Sequence, residues 1–369
     1  MHSAGVYGGA LMSRRPKVLM VGPSRDSQGG ITTVVNECFA AGLQEACDLT
    51  YLDCSVPGGK ARKLAAGSRS LLWARKHAHE FDLCHVHVGG GNSFYRERHF
   101  VDAAVRAGVP CVLHLHDGLF KILWEKRADE RLRSRIRETY ASCARVVVLS
   151  TDIARYIEEN VFSGLRICVI PNGVEVREEV ALPKEPQTVL FLGHFDDNKN
   201  YDVLVRAMSR VRERFPEARA YFGADGDVDG FKSLVDELGL GECCIYLGWV
   251  CSEEKQRMLD RCSIYCLPSK NEAMPMGLLE AMANQLCAVV TPVGGVPDIV
   301  EDGKSGAFVP VGDEAALAEA ICGLMSDERR RAELASAGHA RIRELFTLES
   351  VMGRYTDLYS EILKEVSAG

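Results

Sequence analysis

The sequence lacks three features that would place it in a special class of protein. No apolar run approaches the ~18 residues that a membrane-spanning helix needs. The first dozen residues lack a basic segment followed by a long apolar one, so we expect an extension over 1–16 that is disordered and is not a secretion signal. A net charge of -7 and a pI near 5.9 argue against non-specific binding of nucleic acid.

Cysteine is frequent, but the patterns of a metal or disulfide framework are missing. Most of the 14 cysteines lie inside apolar runs such as "CVLHLH" and "CCIYLG", where cysteine behaves as a small buried hydrophobe. There is no C-x-x-C and no Cys/His ligand spacing. We therefore expect a protein of the reducing cytoplasm with neither disulfides nor a metal.

The composition is that of a soluble globular protein, with 47% hydrophobic and 26% charged residues. Residues 1–180 carry 24 Lys and Arg against 20 Asp and Glu, so the whole negative excess belongs to the second half. A basic first half suits an anionic membrane surface or an anionic acceptor. Scattered surface charge that differs between domains is the alternative interpretation.

Short apolar runs alternate with amphipathic stretches, which predicts parallel α/β architecture. We expect strands at 17–22, 48–53, 82–88, 110–115, 145–149, 167–170, 188–193, 218–223, 243–247, 263–267, 286–291 and 306–309. Helical patterns include 30–43, 61–79, 122–142, 199–214, 228–239, 252–261, 276–284 and 313–325. A polar, proline-containing stretch near 172–187 divides two Rossmann-like domains, predicted over 17–172 and 187–346.

A glycine pair, Gly29 and Gly30, follows the first strand where a helix begins. Paired glycines let backbone N–H groups approach a phosphate, although such a pair is often only a turn. The spacing is not G-x-G-x-x-G, so a nicotinamide-dependent oxidoreductase is poorly supported.

Histidines mark two other strand ends. His114 and His116 in "HLHDG" point the same way, and His116, nearer the loop, is the better functional candidate. His87 and its glycine-rich loop are candidates for the acceptor side, together with Asn92 and Arg96. A histidine satisfied by its neighbours is the structural alternative.

Two segments of the second half indicate a binding site for a nucleotide sugar. In "FLGHFDDNKN", Lys199 could pair with a diphosphate, with help from His194. In "SKNEAMPMGLLEAMANQ", Pro275 suits a helix start, and Glu280 one turn inside could accept hydrogen bonds from a ribose diol. Glu272 in the preceding loop could reach the sugar. We expect unpaired N–H groups to face a phosphate at Met276, Gly277, Leu278 and Leu279, with Ser269 completing the donor site.

Together these segments resemble glycosyltransferase family 4, the glycosyl transferases group 1. The resemblance runs from about Lys17 to about Leu363. It rests on "SQGGI", "LHD", "VIPNGVE", "FLGHFDDNKN", the E-x7-E spacing of "SKNEAMPMGLLEAMA", and "TPVGGVPDIVEDGKSGAFV". It implies the α/β GT-B fold, with two Rossmann-like domains facing across a cleft and a last segment, 347–365, that crosses back onto the first domain.

The resemblance implies a retaining hexosyltransferase that uses a nucleotide-diphosphate sugar and needs no metal or other cofactor. UDP is the expected nucleotide of the donor. Glu280 would bind the ribose, Glu272 the donor sugar or diphosphate, and Lys199 the diphosphate. Gly30 would approach the diphosphate from the other domain, and His116 would lie near the reacting centre. The acceptor would be a glycan or lipid-linked glycan in polysaccharide biosynthesis.

The sequence departs from the family pattern in the "FLGHFDDNKN" element. His194 stands where arginine is usual, and Asn200 where glycine is common. A neutral histidine supplies less positive charge than arginine, so a catalytically weak nucleotide-sugar-binding protein stays an alternative. A GT-B sugar-nucleotide epimerase is another.

The first half also offers a peripheral membrane contact at the inner face. Two basic stretches, "RSLLWARKHAHEFD" and "KILWEKRADERLRSRIRETY", carry Trp73 and Trp124 among many arginines. Two ordinary amphipathic helices with solvated faces would give the same pattern.

Overall fold

The computed structural model describes residues 14–27, 29–180 and 183–368. The predicted extension 1–16 lies almost wholly outside these residues. The chain divides into two compact units, which we call unit 1, Met1–Gly173 with Leu348–Gly369, and unit 2, Val174–Thr347.

Unit 1 is built on a six-stranded parallel sheet. Its strands are β1 Lys17–Pro23, β2 Asp48–Ser55, β3 Leu83–Val88, β4 Cys111–Leu115, β5 Arg145–Val148 and β6 Ile167–Val169. Their order is β2-β1-β3-β4-β5-β6. Every residue of β3, β4 and β5 is buried, because helices cover both faces of such a sheet.

Helices connect these strands. They are α1 Gly30–Ala40, α2 Leu43–Ala46, α3 Lys60–His77, α4 Asn92–Arg106, α5 Phe120–Ile122, α6 Glu130–Ala141 and α7 Thr151–Asn160. The helix expected over 122–142 is not continuous. A π-helical turn over Leu123–Arg127 follows α5, and Asp129 then caps a new helix by accepting a hydrogen bond from the Leu132 N–H.

Unit 2 repeats the architecture with a second parallel sheet. Its strands are β7 Glu185–Phe195, β8 Arg219–Gly226, β9 Cys244–Gly248, β10 Cys262–Leu267, β11 Cys287–Val290 and β12 Ala307–Phe308, in the order β12-β11-β10-β7-β8-β9. The helices are α8 Tyr201–Arg214, α9 Val228–Glu237, α10 Ser252–Arg261, α11 Met276–Ala283, α12 Val296–Ile299, α13 Glu314–Ser326 and α14 Glu328–Leu345. The strands predicted in both halves are confirmed, with ends that differ by a few residues.

The last helix, α15 Leu348–Ala368, belongs to unit 1. Its buried tyrosines, Tyr355 and Tyr359, contact the sheet through His85, with ring centroids 5.7 and 5.8 Å away. Further along, the side chain of Arg145, 5% exposed, lies 2.6 Å from both Glu361 and Glu365. Both apolar packing and charge therefore fix α15 to unit 1.

The two buried tyrosines of α15 differ in one hydrogen bond, which allows a matched test. The Tyr359 hydroxyl lies 2.5 Å from Nδ1 of His85, whereas the Tyr355 hydroxyl has no partner among the described residues. We expect Tyr359→Phe to lower the free energy of unfolding by about 1–3 kcal/mol, because it orphans a buried polar atom. Tyr355→Phe should leave that energy unchanged or raise it. Urea denaturation measures both, and equal losses would contradict this account.

Candidate functional site

The strand order of unit 2 reverses between β7 and β10. From β7 the chain proceeds outward through β8 and β9, and from β10 it proceeds the other way through β11 and β12. In open α/β sheets, ligands bind outside the carboxyl ends of the strands at such a reversal. The loops that follow β7 and β10 therefore hold the best-placed residues of this unit.

These two loops are bonded to each other. Nδ2 of Asn198 donates to the carbonyl of Asn271, Nδ2 of Asn271 donates to Oδ1 of Asn198, and the Lys270 N–H donates to the carbonyl of Asn198. Asn200 has φ 57°, in the left-handed region where asparagine is one of few alternatives to glycine, and its side chain donates to the carbonyl of Pro268. Asn200, which stands where glycine is common in the family, thus adopts the left-handed conformation that glycine would supply.

The predicted residues Lys199 and Glu272 meet above this reversal point. Nζ of Lys199 lies 2.7 Å from Oε1 of Glu272, whose side chain is 9% exposed. Oγ of Ser269, fully buried, donates to the same oxygen at 2.6 Å. The carbonyl of Ser269 accepts in turn from Oγ1 of Thr291. The Glu272 carboxylate is thus held in one place, next to a lysine that is still 22% exposed.

Helix α11 begins beside this pair with an open N-terminus. Pro275 precedes it, and no side chain caps it. The N–H groups of Leu278 and Leu279 donate to the carbonyl of Pro275 at 3.2 and 3.3 Å, so the prediction that these two groups are unpaired is wrong. Within the described residues, the N–H groups of Met276 and Gly277 have no acceptor. Two backbone donors, rather than four, are left to meet an anion.

Glu280 lies one turn into α11, and its partner was not predicted. Its Oε1 lies 2.5 Å from Nζ of Lys255 on α10, and its side chain is 14% exposed. Nothing local to "SEEKQR" indicates this contact, because it depends on how α10 and α11 pack. A partly exposed carboxylate held by one oxygen can accept hydrogen bonds from hydroxyls with the other.

His194, at the end of β7, faces a carboxylate. Its Nδ1 lies 2.6 Å from Oδ1 of Asp225 on β8, and half of the His194 side chain is exposed. Gly226 is needed beside it, because its φ is 97° and a Cβ there would lie 2.6 Å from the carbonyl oxygen of Phe195 and 2.8 Å from the imidazole. His194 and Lys199 both lie in the segment at the carboxyl end of β7.

The sheet of unit 1 reverses between β1 and β3, and the predicted glycine pair follows β1. Gly29 has φ 128°, a conformation almost restricted to glycine, and it precedes α1 without a side-chain cap. A Cβ at Gly29 or Gly30 would meet nothing within 4 Å, so the start of α1 is open to a ligand.

The histidine candidates lie at the ends of β3 and β4. His114 and His116 share a side of the sheet as predicted, with ring centroids 4.0 Å apart. Nε2 of half-buried His116 lies 2.9 Å from Nδ1 of His87, which is 1% exposed. A ligand at this edge would reach His116 first.

The other acceptor-side candidates lie on α4. The side chain of Asn92 is outside the described part of the structure. Arg96 pairs at 2.5 Å with Glu97, which is 1% exposed. Oγ of Ser93 also donates to Glu97, and burial raises the pKa of this carboxyl. Arg96 thus balances a buried acid and presents about a third of its side chain to solvent.

The arrangement in unit 2 has defined chemical capacities. An ammonium and two backbone donors suit an anion with several oxygens, such as a diphosphate. Glu280 suits a pair of hydroxyls, and Glu272 a further polar group. Gly294 lets the next loop approach closely, because its own Cβ would fall 1.7 Å from the carbonyl oxygen of Glu272.

Known families match both halves of the chain. A glycosyl transferase 4-like domain matches residues 11–173, and the glycosyl transferases group 1 domain matches residues 174–341. The two matches meet at the boundary between unit 1 and unit 2.

One curated relative and two solved structures illustrate the similarity. The phosphatidyl-myo-inositol mannosyltransferase of Mycobacterium leprae (strain TN) is 32% identical over 182 residues, 47% of this chain and 48% of that protein. This chain spans about half the length of the curated relatives it matches. Sucrose-phosphate synthase from Thermosynechococcus elongatus has a TM-score of 0.80 at 18% identity and covers 95% of this chain and 100% of its own. Anabaena HepE in complex with UDP and glucose has a TM-score of 0.76 at 18% identity, covering 94% and 100%.

Two parallel six-stranded sheets and these structural neighbours define the GT-B fold, and the predicted α/β architecture with two Rossmann-like domains is confirmed. The chain belongs to the glycosyl transferases group 1 family, as its motifs indicated.

The close approach at Gly294 can be tested by adding one methyl group. Gly294→Ala places a Cβ on the Glu272 carbonyl at a φ of 54°, so we expect a loss of unfolding free energy of about 2–4 kcal/mol. Gly312→Ala is the matched control, because Gly312 also has positive φ but open space around it. Thermal denaturation should show the larger loss for Gly294→Ala, and equal losses would mean that the close approach is unimportant.

Proposed function

We propose that this chain is a retaining, metal-independent glycosyltransferase that transfers a sugar from a UDP-sugar to a hydroxyl of a glycan or lipid-linked glycan. The observation that carries this proposal is the convergence of Lys199, Glu272, Glu280 and the open start of α11 at the strand reversal of unit 2. Family membership supplies the reaction class.

The proposed donor complex uses these groups in order along the nucleotide. Glu280 accepts from the ribose hydroxyls through Oε2, since Oε1 is bound by Lys255. Lys199 and the N–H groups of Met276 and Gly277 bind the diphosphate and neutralise the charge that develops when it leaves. This set of donors supplies positive potential without a metal ion.

The proposed stereochemical course is retention through front-side departure and attack. Oε1 of Glu272 already accepts hydrogen bonds from Lys199 and Ser269, an environment that suits a ligand of the donor better than a free nucleophile. UDP is favoured because HepE, of the same fold, was solved with UDP and glucose.

A peripheral membrane contact is proposed for one helix of unit 1. Among the described residues no helix is long and apolar enough to cross a bilayer. However, α3 exposes Leu64, Leu72 and Trp73 by 73%, 65% and 36%. Its cationic residues are Lys60, Arg62, Lys63, Arg69, Arg75 and Lys76. Exposed apolar side chains among cations suit the interface of an anionic bilayer, where a lipid-linked acceptor would lie.

Trp124, the other tryptophan expected in such a contact, is not available for it. It is 5% exposed, and the guanidinium groups of Arg133 and Arg137 lie 5.5 and 5.0 Å from its ring. The membrane proposal therefore rests on α3.

Substitutions of the two glutamates should separate binding from turnover. In the presence of a chelator, we expect Glu280→Ala to weaken UDP-sugar binding about tenfold or more, through the loss of hydrogen bonds from the ribose to a charged group. Glu272→Ala should lower turnover more than it weakens binding. Glu242→Ala, 88% exposed in the same unit, is the control. Calorimetry gives the dissociation constants, and donor hydrolysis gives the turnover.

The outcomes also discriminate among functions. Unchanged binding in Glu280→Ala would contradict the ribose role. Binding without any turnover would favour a nucleotide-sugar-binding protein, and conversion of the bound sugar without transfer would favour an epimerase. A requirement for Mg²⁺ in the binding of the donor diphosphate would contradict metal independence.

Vesicle sedimentation tests the role of α3. We expect the protein to pellet with vesicles that contain phosphatidylglycerol and to stay in solution with phosphatidylcholine alone, because the attraction needs anionic lipid. Leu64→Gln with Leu72→Gln should reduce pelleting several-fold. Val311→Gln, which changes an exposed apolar residue of unit 2, should not. Wild-type protein that stays in the supernatant with both vesicles would refute the membrane contact.

A further inference from the structure

Four histidines are stacked on one face of the sheet of unit 1. They come from two H-x-H pairs, His85 and His87 on β3 and His114 and His116 at the end of β4. Side chains two residues apart on a strand share a face, and the parallel register places His87 opposite His114. The alternation of side chains along each strand and the pairing of β3 with β4 therefore bring four imidazoles together, although the two H-x-H motifs are separate in the sequence.

The spacing within this cluster is that of metal ligands. One ring nitrogen from each of His85, His87 and His114 lies within 4.8 Å of the other two. Nε2 of His85 and Nδ1 of His114 are 3.3 Å apart. Two imidazoles bound to one tetrahedral Zn²⁺, at about 2.0–2.1 Å each, would hold their nitrogens about 3.3–3.4 Å apart. Small ring movements would bring the third nitrogen to the same distance.

The cluster also leaves buried polar atoms without partners. Nε2 of His87 and Nε2 of His114 are fully buried and have no hydrogen-bond partner among the described residues. Buried polar atoms are normally paired, so Nε2 of His87 calls for a ligand, and His114 offers its other nitrogen, Nδ1, on the side of Nε2 of His85. An ion bound by imidazole nitrogens would supply one.

Two neighbouring side chains hold the histidine rings in place, as hydrogen-bond partners of metal ligands do. The Tyr359 hydroxyl lies 2.5 Å from Nδ1 of His85, which fixes that ring and leaves its Nε2 for coordination. His116 does the same for His87, with its Nε2 2.9 Å from Nδ1 of His87.

We propose that His85, His87 and His114 bind one divalent transition-metal ion of the zinc class, with Tyr359 and His116 as positioning residues. Imidazole nitrogen suits Zn²⁺, whereas Mg²⁺ prefers oxygen ligands. The ion lies on the sheet of unit 1 and takes no part in binding the diphosphate proposed for unit 2. Its effect is structural, because it ties β3 and β4 together beneath α15.

This proposal departs from the sequence expectation of no metal. That expectation rested on the absence of C-x-x-C and of Cys/His ligand spacing, patterns that detect sites formed within one stretch of chain. The histidine pairs are about thirty residues apart and become neighbours only when β3 and β4 pair.

Metal titration of the full chain tests the proposal. Protein stripped with a chelator is titrated with Zn²⁺ against a chromogenic chelator, and in parallel with Co²⁺, whose visible absorption reports a tetrahedral site. We expect one equivalent of either ion in the wild type. His85→Ala with His114→Ala should abolish it. His79→Ala, which removes an exposed histidine, should not change it. Tyr359→Phe should weaken Zn²⁺ binding about 10–100-fold.

Each arm has an outcome that would overturn the proposal. No stoichiometric binding by wild-type protein would mean that the histidines form a neutral hydrogen-bonded stack. Binding that survives in the double variant would place the ion elsewhere. Should the double variant fail to fold, His114→Cys keeps a ligand at the position and should retain the ion with an altered Co²⁺ spectrum. An unaltered spectrum would exclude His114 as a ligand. None of these readouts depends on sugar transfer.

Discussion

The ion pair between Lys199 and Glu272 is the interaction on which the candidate site of unit 2 depends. Burial leaves the Glu272 side chain 9% exposed and removes much of its hydration, and Lys199 and Ser269 replace it with a positive charge and a hydrogen bond. The two partners come from loops on either side of the strand reversal. Their attraction therefore fixes the two loops at the place where a ligand would bind.

Much of this arrangement could be predicted from short segments. The βαβ alternation gave the strands, because apolar runs of parallel sheets are distinctive, and the helix start at Met276 followed from Pro275. Lys199 and Glu272 were recognised separately as donor-site candidates. That they form an ion pair could not be predicted, since the contact depends on the order of β7 and β10 in the sheet. Lys255, the partner of Glu280, was missed because that contact depends on how α10 and α11 pack.

The errors have physical causes of the same kind. Pro275 has no N–H group and so cannot donate a hydrogen bond at the start of α11. Its carbonyl, however, accepts hydrogen bonds from the N–H groups of Leu278 and Leu279, which are therefore engaged. Trp124 lies in a stretch rich in arginine, yet it is buried, with two guanidinium groups near its ring. Local composition indicates which residues are present. The packing that decides which of them meet a ligand is a property of the whole unit.

The position of a bound diphosphate is the most direct test of the account. A crystal structure of the protein with a UDP-sugar, grown in the presence of a chelator, would locate it. Phosphate oxygens are expected within hydrogen-bond distance of Nζ of Lys199 and of the N–H groups of Met276 and Gly277, with the ribose on Glu280. A nucleotide bound away from the start of α11, or a diphosphate that reaches the protein only when a divalent cation is supplied, would contradict it.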